Sequence, residues 1–165
     1  MFRIIKWLIA LPVGVFIFFN AYVYGNIITY RAVAPYQTAF MSMRMKQFAQ
    51  EGSDVPLDYR WVSYNQISPN LKKALIASED AKFAEHAGFD WGGIQYAIKR
   101  NRKTGKVKAG GSTISQQLAK NLFLNESRSY IRKGEEAAIT AMMEAVTDKD
   151  RIFELYLNAI EWHYG

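Results

Sequence analysis

The run Ser78-Glu79-Asp80-Ala81-Lys82-Phe83-Ala84-Glu85-His86-Ala87-Gly88 is the point from which the rest of the chain is read. It ends a helical pattern that opens at Ser68-Pro69, an N-cap residue followed by proline at the first helical position. Leu71 and Leu75 lie four residues apart, and Glu79 is the next step on the same stripe. The spacing predicts that Glu79 points toward the core side, where loss of water makes a carboxylate a usable base near neutral pH. Asp80 then faces elsewhere and serves as a structural acceptor. The competing reading is a solvated Glu-Asp pair at a helix end, the common situation for carboxylates.

The chain before this stretch reads as a membrane anchor. Residues 7–28 carry no charge, and their length suits a hydrocarbon core of about 30 Å. Arg3 and Lys6 flank the start and predict a cytoplasmic N-terminus, residues 1–6. Trp7 at one end and Tyr22, Tyr24 and Tyr30 at the other are interfacial anchors. The run is longer than a signal-peptide core and has no small-x-small exit, so it reads as uncleaved. Residues 29–58 form a juxtamembrane segment, in which Phe40, Met41, Met43, Met45 and Phe48 mark a short amphipathic helix. Residues 59–165 form the domain. Tyr59 to Val62 enters it as an extended segment or short strand.

Composition narrows the chemistry. The 165 residues allow one span and one small domain, and the net charge of +6 points to an anionic partner. The absence of cysteine excludes a thiol nucleophile, a cysteine zinc site and a disulfide scaffold. His86 and His163 are too few and too far apart for a histidine metal cluster.

Beyond Gly88, a turn at 89–93 leads into a helix through Ile94 and Ile98. Residues 99–108 are dense in lysine and arginine without apolar periodicity and read as a mobile basic loop. Gly110-Gly111-Ser112-Thr113 opens another helix, capped by Ser112 or Thr113, with Ile114, Leu118 and Leu122 as its buried stripe. Glycines and hydroxyls before a helix N-terminus are an anion cradle in type, but the spacing to Lys120 does not fit a nucleotide phosphate loop. The next helix runs from Tyr130 to Val146 on Ile139, Met142, Met143 and Val146. Glu136 sits at the edge of that face, one turn after Arg132. Thr147 to Asp150 offers a capping box for a last helix that buries Ile152, Leu155, Tyr156 and Ala159 and runs to about Asn158.

Glu79 and Glu136 on apolar stripes, the cations Lys120, Arg128, Arg132 and Lys133, and a membrane anchor point together toward sugar chemistry on a lipid-borne phosphate substrate. Four stretches carry a closer likeness: residues 79–88, 110–121, 132–136 and 149–158. In this order they resemble the motifs of the peptidoglycan glycosyltransferases of glycosyltransferase family 51, and among them the monofunctional biosynthetic peptidoglycan transglycosylases. The likeness covers the chain from about Trp61 to its end. It implies a mostly α, lysozyme-like, two-lobed fold with one N-terminal transmembrane helix and a small lobe in the membrane.

The resemblance also implies an inverting polymerisation of lipid II into β-1,4 glycan strands, with release of undecaprenyl pyrophosphate. Glu79 matches the family's general base, and Glu136 the second glutamate near the donor pyrophosphate. Lys120, Arg128, Arg132 and Lys133 match phosphate-contacting cations. Ser112, Thr113, Gln117 and Asn121 match the polar wall of the donor site, and Asp80, Phe83 and His86 fall within the first motif as substrate-binding positions. No organic cofactor is implied. The pyrophosphate must be met by several cations or by a divalent metal, magnesium or manganese. The implied partners are lipid II, lipid-linked glycan, the membrane and other cell-wall synthesis and division proteins, with no nucleic acid. The implied location is the bacterial cytoplasmic (inner) membrane, single-pass, with the catalytic domain in the periplasm.

Two features depart from the family pattern. Glu135 stands where many members carry lysine or an apolar residue, and the chain ends soon after Asn158. The second implies a C-terminally incomplete domain, weak or inactive alone, in which the face of Ile152, Leu155 and Tyr156 awaits further helices and the segment after Asn158 has nothing to pack against. Two other readings stay open. A lysozyme-like lytic enzyme would cleave glycan with the same kind of glutamate and would need the cations less. A membrane-anchored fragment would bind lipid II without turnover.

Overall fold

The computed structural model describes residues 2–53, 56–106 and 110–162, and the regular elements among them are all helices, without a strand. The helices are α1 (Phe2–Tyr30), α2 (Ala39–Gln50), α3 (Pro69–Glu79), α4 (Trp91–Thr104), α5 (Ile114–Phe123), α6 (Tyr130–Val146) and α7 (Lys149–Ala159), with a 3₁₀ turn at Tyr64–Gln66. His163 and Tyr164, and Val107 and Lys108 of the basic segment, lie outside the described residues.

Local chemistry starts most of these helices. Thr38, Asp90, Thr113, Ser129 and Asp148 are N-caps whose side chains accept a backbone N–H of the first turn. Thr113 and Gln116 form a complete capping box at α5. At α7 the cap is Asp148 alone, accepting from Arg151 N at 2.8 Å. Ser68 makes no side-chain cap, and Pro69 alone marks the start of α3.

α5 is the hub. It packs against α2, α6 and α7, and α1 lies on α6. Its stripe of Ile114, Leu118 and Leu122 is buried as the spacing predicts, against Ile139 and Met143 of α6 and Ile152, Phe153 and Leu155 of α7. Phe153 anchors an aromatic cluster with Phe83, Tyr64 and Tyr156.

α1 contains a 21-residue apolar stretch, Ala10–Tyr30. At 1.5 Å per residue this reaches about 31 Å, enough to cross a bilayer core. Leu8, Leu11, Phe16 and Phe18 are exposed along it. The last turns differ: Val23 and Ile27 are buried in the domain core, and Tyr30 stacks on Phe123 with ring centroids 6.1 Å apart. Arg151 of α7 fastens the end of α1. Its Nε donates to Tyr30 O at 2.7 Å and its Nη2 to Val33 O at 2.9 Å.

The same face of α7 pins the entry segment. Glu154 accepts from Tyr64 N at 2.8 Å. Asn158 accepts from Val62 N at 2.8 Å and donates to Val62 O at 2.9 Å. Val62 is thus paired through a side-chain amide and needs no neighbouring strand, and residues 59–62 form no regular element.

Two expectations need correction. The basic stretch does not leave the helix at Ile98: α4 continues to Thr104 and ends at Gly105, whose φ of 63° makes a left-handed C-cap. Lysine and arginine are good helix formers, and an exposed face needs no apolar period. The end of α7 is also not bare. Tyr156 and Ala159 are buried, Glu161 N donates to Asn121 Oδ1 at 3.2 Å, and the Glu161 carboxylate receives Arg44 of α2 at 2.5 and 2.9 Å. Trp162 packs edge-on against Tyr156. The face of Ile152, Leu155 and Tyr156 is filled by this chain's own helices.

Candidate active site

Glu79 closes α3, and the next residue, Asp80, has left helical geometry with φ −161° and ψ 76°. The helical period therefore stops at Glu79, and the two carboxylates exchange places relative to the sequence reading. Leu71 is 48% exposed and Leu75 buried, so the stripe does not run along the core. Glu79 is exposed, and Asp80 is the buried carboxylate.

Asp80 is consumed by structure, as a structural acceptor should be. One oxygen accepts from Ile114 N at 3.1 Å, the first residue of α5, and both lie within 3.1 Å of His86 Nε2. A carboxylate at a helix N-terminus also meets the positive end of the helix dipole. This contact locks the end of α3 to the start of α5. Phe83 is buried against Phe153. Phe83, His86 and Asp80 are therefore occupied in the interior beneath Glu79.

The Glu79 side chain turns toward a cleft of about 340 Å³ whose walls include Ser78, Glu79, Tyr96, Gly111, Ser112 and Thr113. Gln117 Nε2 donates to Glu79 Oε2 at 2.9 Å, and Tyr156 Oη donates to Gln117 Oε1 at 3.2 Å. Burial, reinforced by the nearby carboxylates of Glu79 and Asp80, pushes the Tyr156 phenol well above its ordinary range, so it stays protonated.

The glycine corner is built tightly. Gly88 has φ +85°, and a Cβ there would stand 2.7 Å from Thr140 Cγ2 and 3.0 Å from Glu144 Cγ. Thr113 Oγ1 donates to Gly88 O at 2.7 Å. Thr113 thus joins residues 79–88 to the helix it caps.

On the other wall Ser112 leads to a charged cluster. Lys133 Nζ donates to Ser112 Oγ at 3.1 Å and also to Glu136 Oε1. Arg132 Nη1 donates to Glu136 Oε2 at 2.7 Å and its Nε to Ser127 O at 2.6 Å. Glu136 is buried rather than at the edge of its face, with its side chain 4% exposed. Both its oxygens are engaged by cations, so Glu136 fixes where Arg132 and Lys133 stand.

The remaining positions named by sequence spread out. Lys120 lies with its ammonium 5.2 Å from the Phe40 ring of α2, and Arg128 is exposed in the connection between α5 and α6. Asn121 is buried, donating to Gln117 O and accepting from Glu161 N.

Two contributors escaped the sequence reading. Glu144, 7% exposed, accepts from Ser115 Oγ and from Lys149 Nζ at 2.8 Å, joining α5, α6 and α7 behind Gly88. Its signal was its place on the Glu136-Thr140 stripe, four residues further on. Tyr156 reads as core by its spacing, and nothing local reveals that its hydroxyl reaches Gln117.

A family model described as Transglycosylase matches residues 45–165. A biosynthetic peptidoglycan transglycosylase of Neisseria meningitidis serogroup C is 89% identical over all 165 residues, which span 71% of that protein. Those of a serogroup A strain and of Neisseria gonorrhoeae are 88% and 86% identical over the same span. The chain belongs to the transglycosylase family, among the biosynthetic peptidoglycan transglycosylases, enzymes that transfer glycosyl groups in cell-wall synthesis.

Proposed function

We propose that the enzyme polymerises lipid II into β-1,4 glycan strands, with Glu79 as general base and undecaprenyl pyrophosphate as leaving group. The observation that carries this reading is the exposed Glu79 carboxylate on the cleft wall, held through one oxygen by Gln117, in a cleft also lined by Ser112, which Lys133 contacts. The acceptor is the 4-hydroxyl of the N-acetylglucosamine of lipid II, and the growing strand is the donor. Glu79 takes the hydroxyl proton as the oxygen bonds to the donor anomeric carbon, and the bond from that carbon to pyrophosphate breaks. One displacement from the face opposite the α-linked pyrophosphate gives a β linkage.

Glu79 is not desolvated by the chain itself, so substrate filling the cleft supplies the water exclusion. The leaving pyrophosphate gathers negative charge that Lys133 and Arg132, held by Glu136, are positioned to meet. Lys120 and Arg128 belong to the same phosphate path in this reading. The residues present do not build a metal cage. Glu136 is already taken by two cations, and among the described residues no three histidines or carboxylates converge. A magnesium or manganese ion would be carried by the phosphates, and no step runs through it.

The substrate's lipid tail fits an enzyme anchored by α1. In this reading residues 1–6 are cytoplasmic, 7–28 cross the inner membrane once, 29–58 lie at its outer surface and 59–165 work in the periplasm. The test of function is Glu79→Gln in the full-length enzyme supplied with lipid II. Loss of strand synthesis by about a hundredfold or more is expected for a missing general base. Near-normal polymerisation by folded Glu79→Gln would overturn the assignment, and release of fragments from finished wall would favour a lytic enzyme.

A further inference from the structure

We propose that Tyr156 is a positioning residue for glycosyl transfer: its buried hydroxyl sets the Gln117 amide, and that amide holds the Glu79 carboxylate at the cleft. The inference rests on the reading of Glu79 as base. Three helices meet in this line, Tyr156 from α7, Gln117 from α5 and Glu79 from α3. The two hydrogen bonds are 3.2 and 2.9 Å long.

The chemistry of an amide makes the order matter. Gln117 has a donor end and an acceptor end, and a flip exchanges them. An ionised carboxylate only accepts, so it must face the donor end. The carboxylate thus sets which end faces it, and Tyr156 pins the far end of the amide by donating to Oε1. Its own proton is secure, because burial and the neighbouring negative charges disfavour a phenolate. Its ring cannot swing away: it is 1% exposed, between Phe153 at 6.2 Å and Trp162 at 6.0 Å between ring centroids.

The adjacent Gln116 shows the division of labour. It is buried and spent on the capping box with Thr113, whereas Gln117 is half-buried and turned to Glu79. Only Glu79 Oε2 is engaged; among the described residues Oε1 has no partner and is left for the acceptor hydroxyl. The line from Tyr156 therefore restricts the carboxylate's rotation without occupying the oxygen that takes the proton.

The experiment uses the full-length enzyme in lipid II vesicles, with Tyr156→Phe, Gln117→Ala and the double variant. Tyr156→Phe keeps the packed ring and removes one hydroxyl. Its kcat should fall about tenfold, the effect of one neutral hydrogen bond lost in the transition state, with KM within about twofold and the unfolding temperature unchanged. Gln117→Ala should lower kcat at least as much, again with KM steady. The double variant should be no slower than Gln117→Ala, because the two act in series. Wild-type kcat in Tyr156→Phe, or losses that multiply in the double variant, would overturn the proposal. Should Tyr156→Phe fail to fold, Gln117→Ala still decides, since a rise in KM with kcat intact makes Gln117 a substrate contact instead. Activity in Glu79→Gln would remove the base reading itself, whereas inactive Glu79→Gln beside a normal Tyr156→Phe would remove only the positioning role.

Discussion

Gly88 holds the site together where a side chain could not. Its φ of +85° is costly for any L residue, and the space for a Cβ is already filled by Thr140 and Glu144. Gly88→Ala should destabilise the domain by about 2–3 kcal/mol through backbone strain and overpacking, read as a lower unfolding temperature. Arg128 makes the opposite prediction. It is exposed, so Arg128→Ala should leave the unfolding temperature in place and reduce turnover with lipid II. A sharp loss of stability with normal turnover per folded molecule would make its role structural. At this scale the first motif was legible as a carboxylate pair in which Asp80 is the structural acceptor. Which carboxylate is buried was not, because Leu71 on that stripe is itself exposed and the backbone leaves the helix at Asp80, turning its side chain inward. Glu136 was legible as an intrahelical ion pair with Arg132, and the pairing with Lys133 follows from the same helix.

The helices themselves were set largely by local signals, and α5 depends on one most. Thr113 caps it, completes a box with Gln116 and binds Gly88 O. Thr113→Ala should cost about 1–2 kcal/mol, and Thr113→Ser should recover most of it, as measured by denaturant unfolding. The buried stripes of α5, α6 and α7 were visible as spacing because each helix has one wet side. α4 was cut short for the converse reason: only Ala97 of it is buried, so its basic end carries no apolar rhythm to count. The entry before α3 was legible only as an extended segment or short strand, since what fixes it is Glu154 and Asn158, some ninety positions later in the chain.

Across the whole molecule, α7 ties the distant parts to one another. Arg151 reaches α1, Glu154 and Asn158 reach the entry segment, and Glu161 just beyond reaches α2. Backbone amides of Ile160 and Glu161 are hydrogen-bonded, so hydrogen exchange should show protection continuing past Leu155 to Glu161. Exchange that is complete within the dead time beyond Leu155 would contradict the packing described. On the proposed orientation, which rests on Arg3 and Lys6 before the span, a reporter fused after Gly165 should be active only outside the cytoplasm. The span was legible in sequence as an uncharged run. Its attachment was not, because Val23 and Ile27 look like any lipid-facing residue until α6 is placed beside them.

That attachment makes α1 a mast and not a tether. A tether would let the cleft wander over the bilayer and sample substrate at many heights. On the proposed reading, with Val23 and Ile27 sunk in the core and Arg151 gripping the carbonyls where the helix ends, the membrane sets the working height of Glu79. The sugar of a lipid-bound acceptor must then arrive at a set altitude, so bilayer thickness becomes a variable of the reaction. Vesicles of longer-chain lipids should slow the enzyme, and Arg151→Ala, which loosens the footing of the mast, should blunt that dependence.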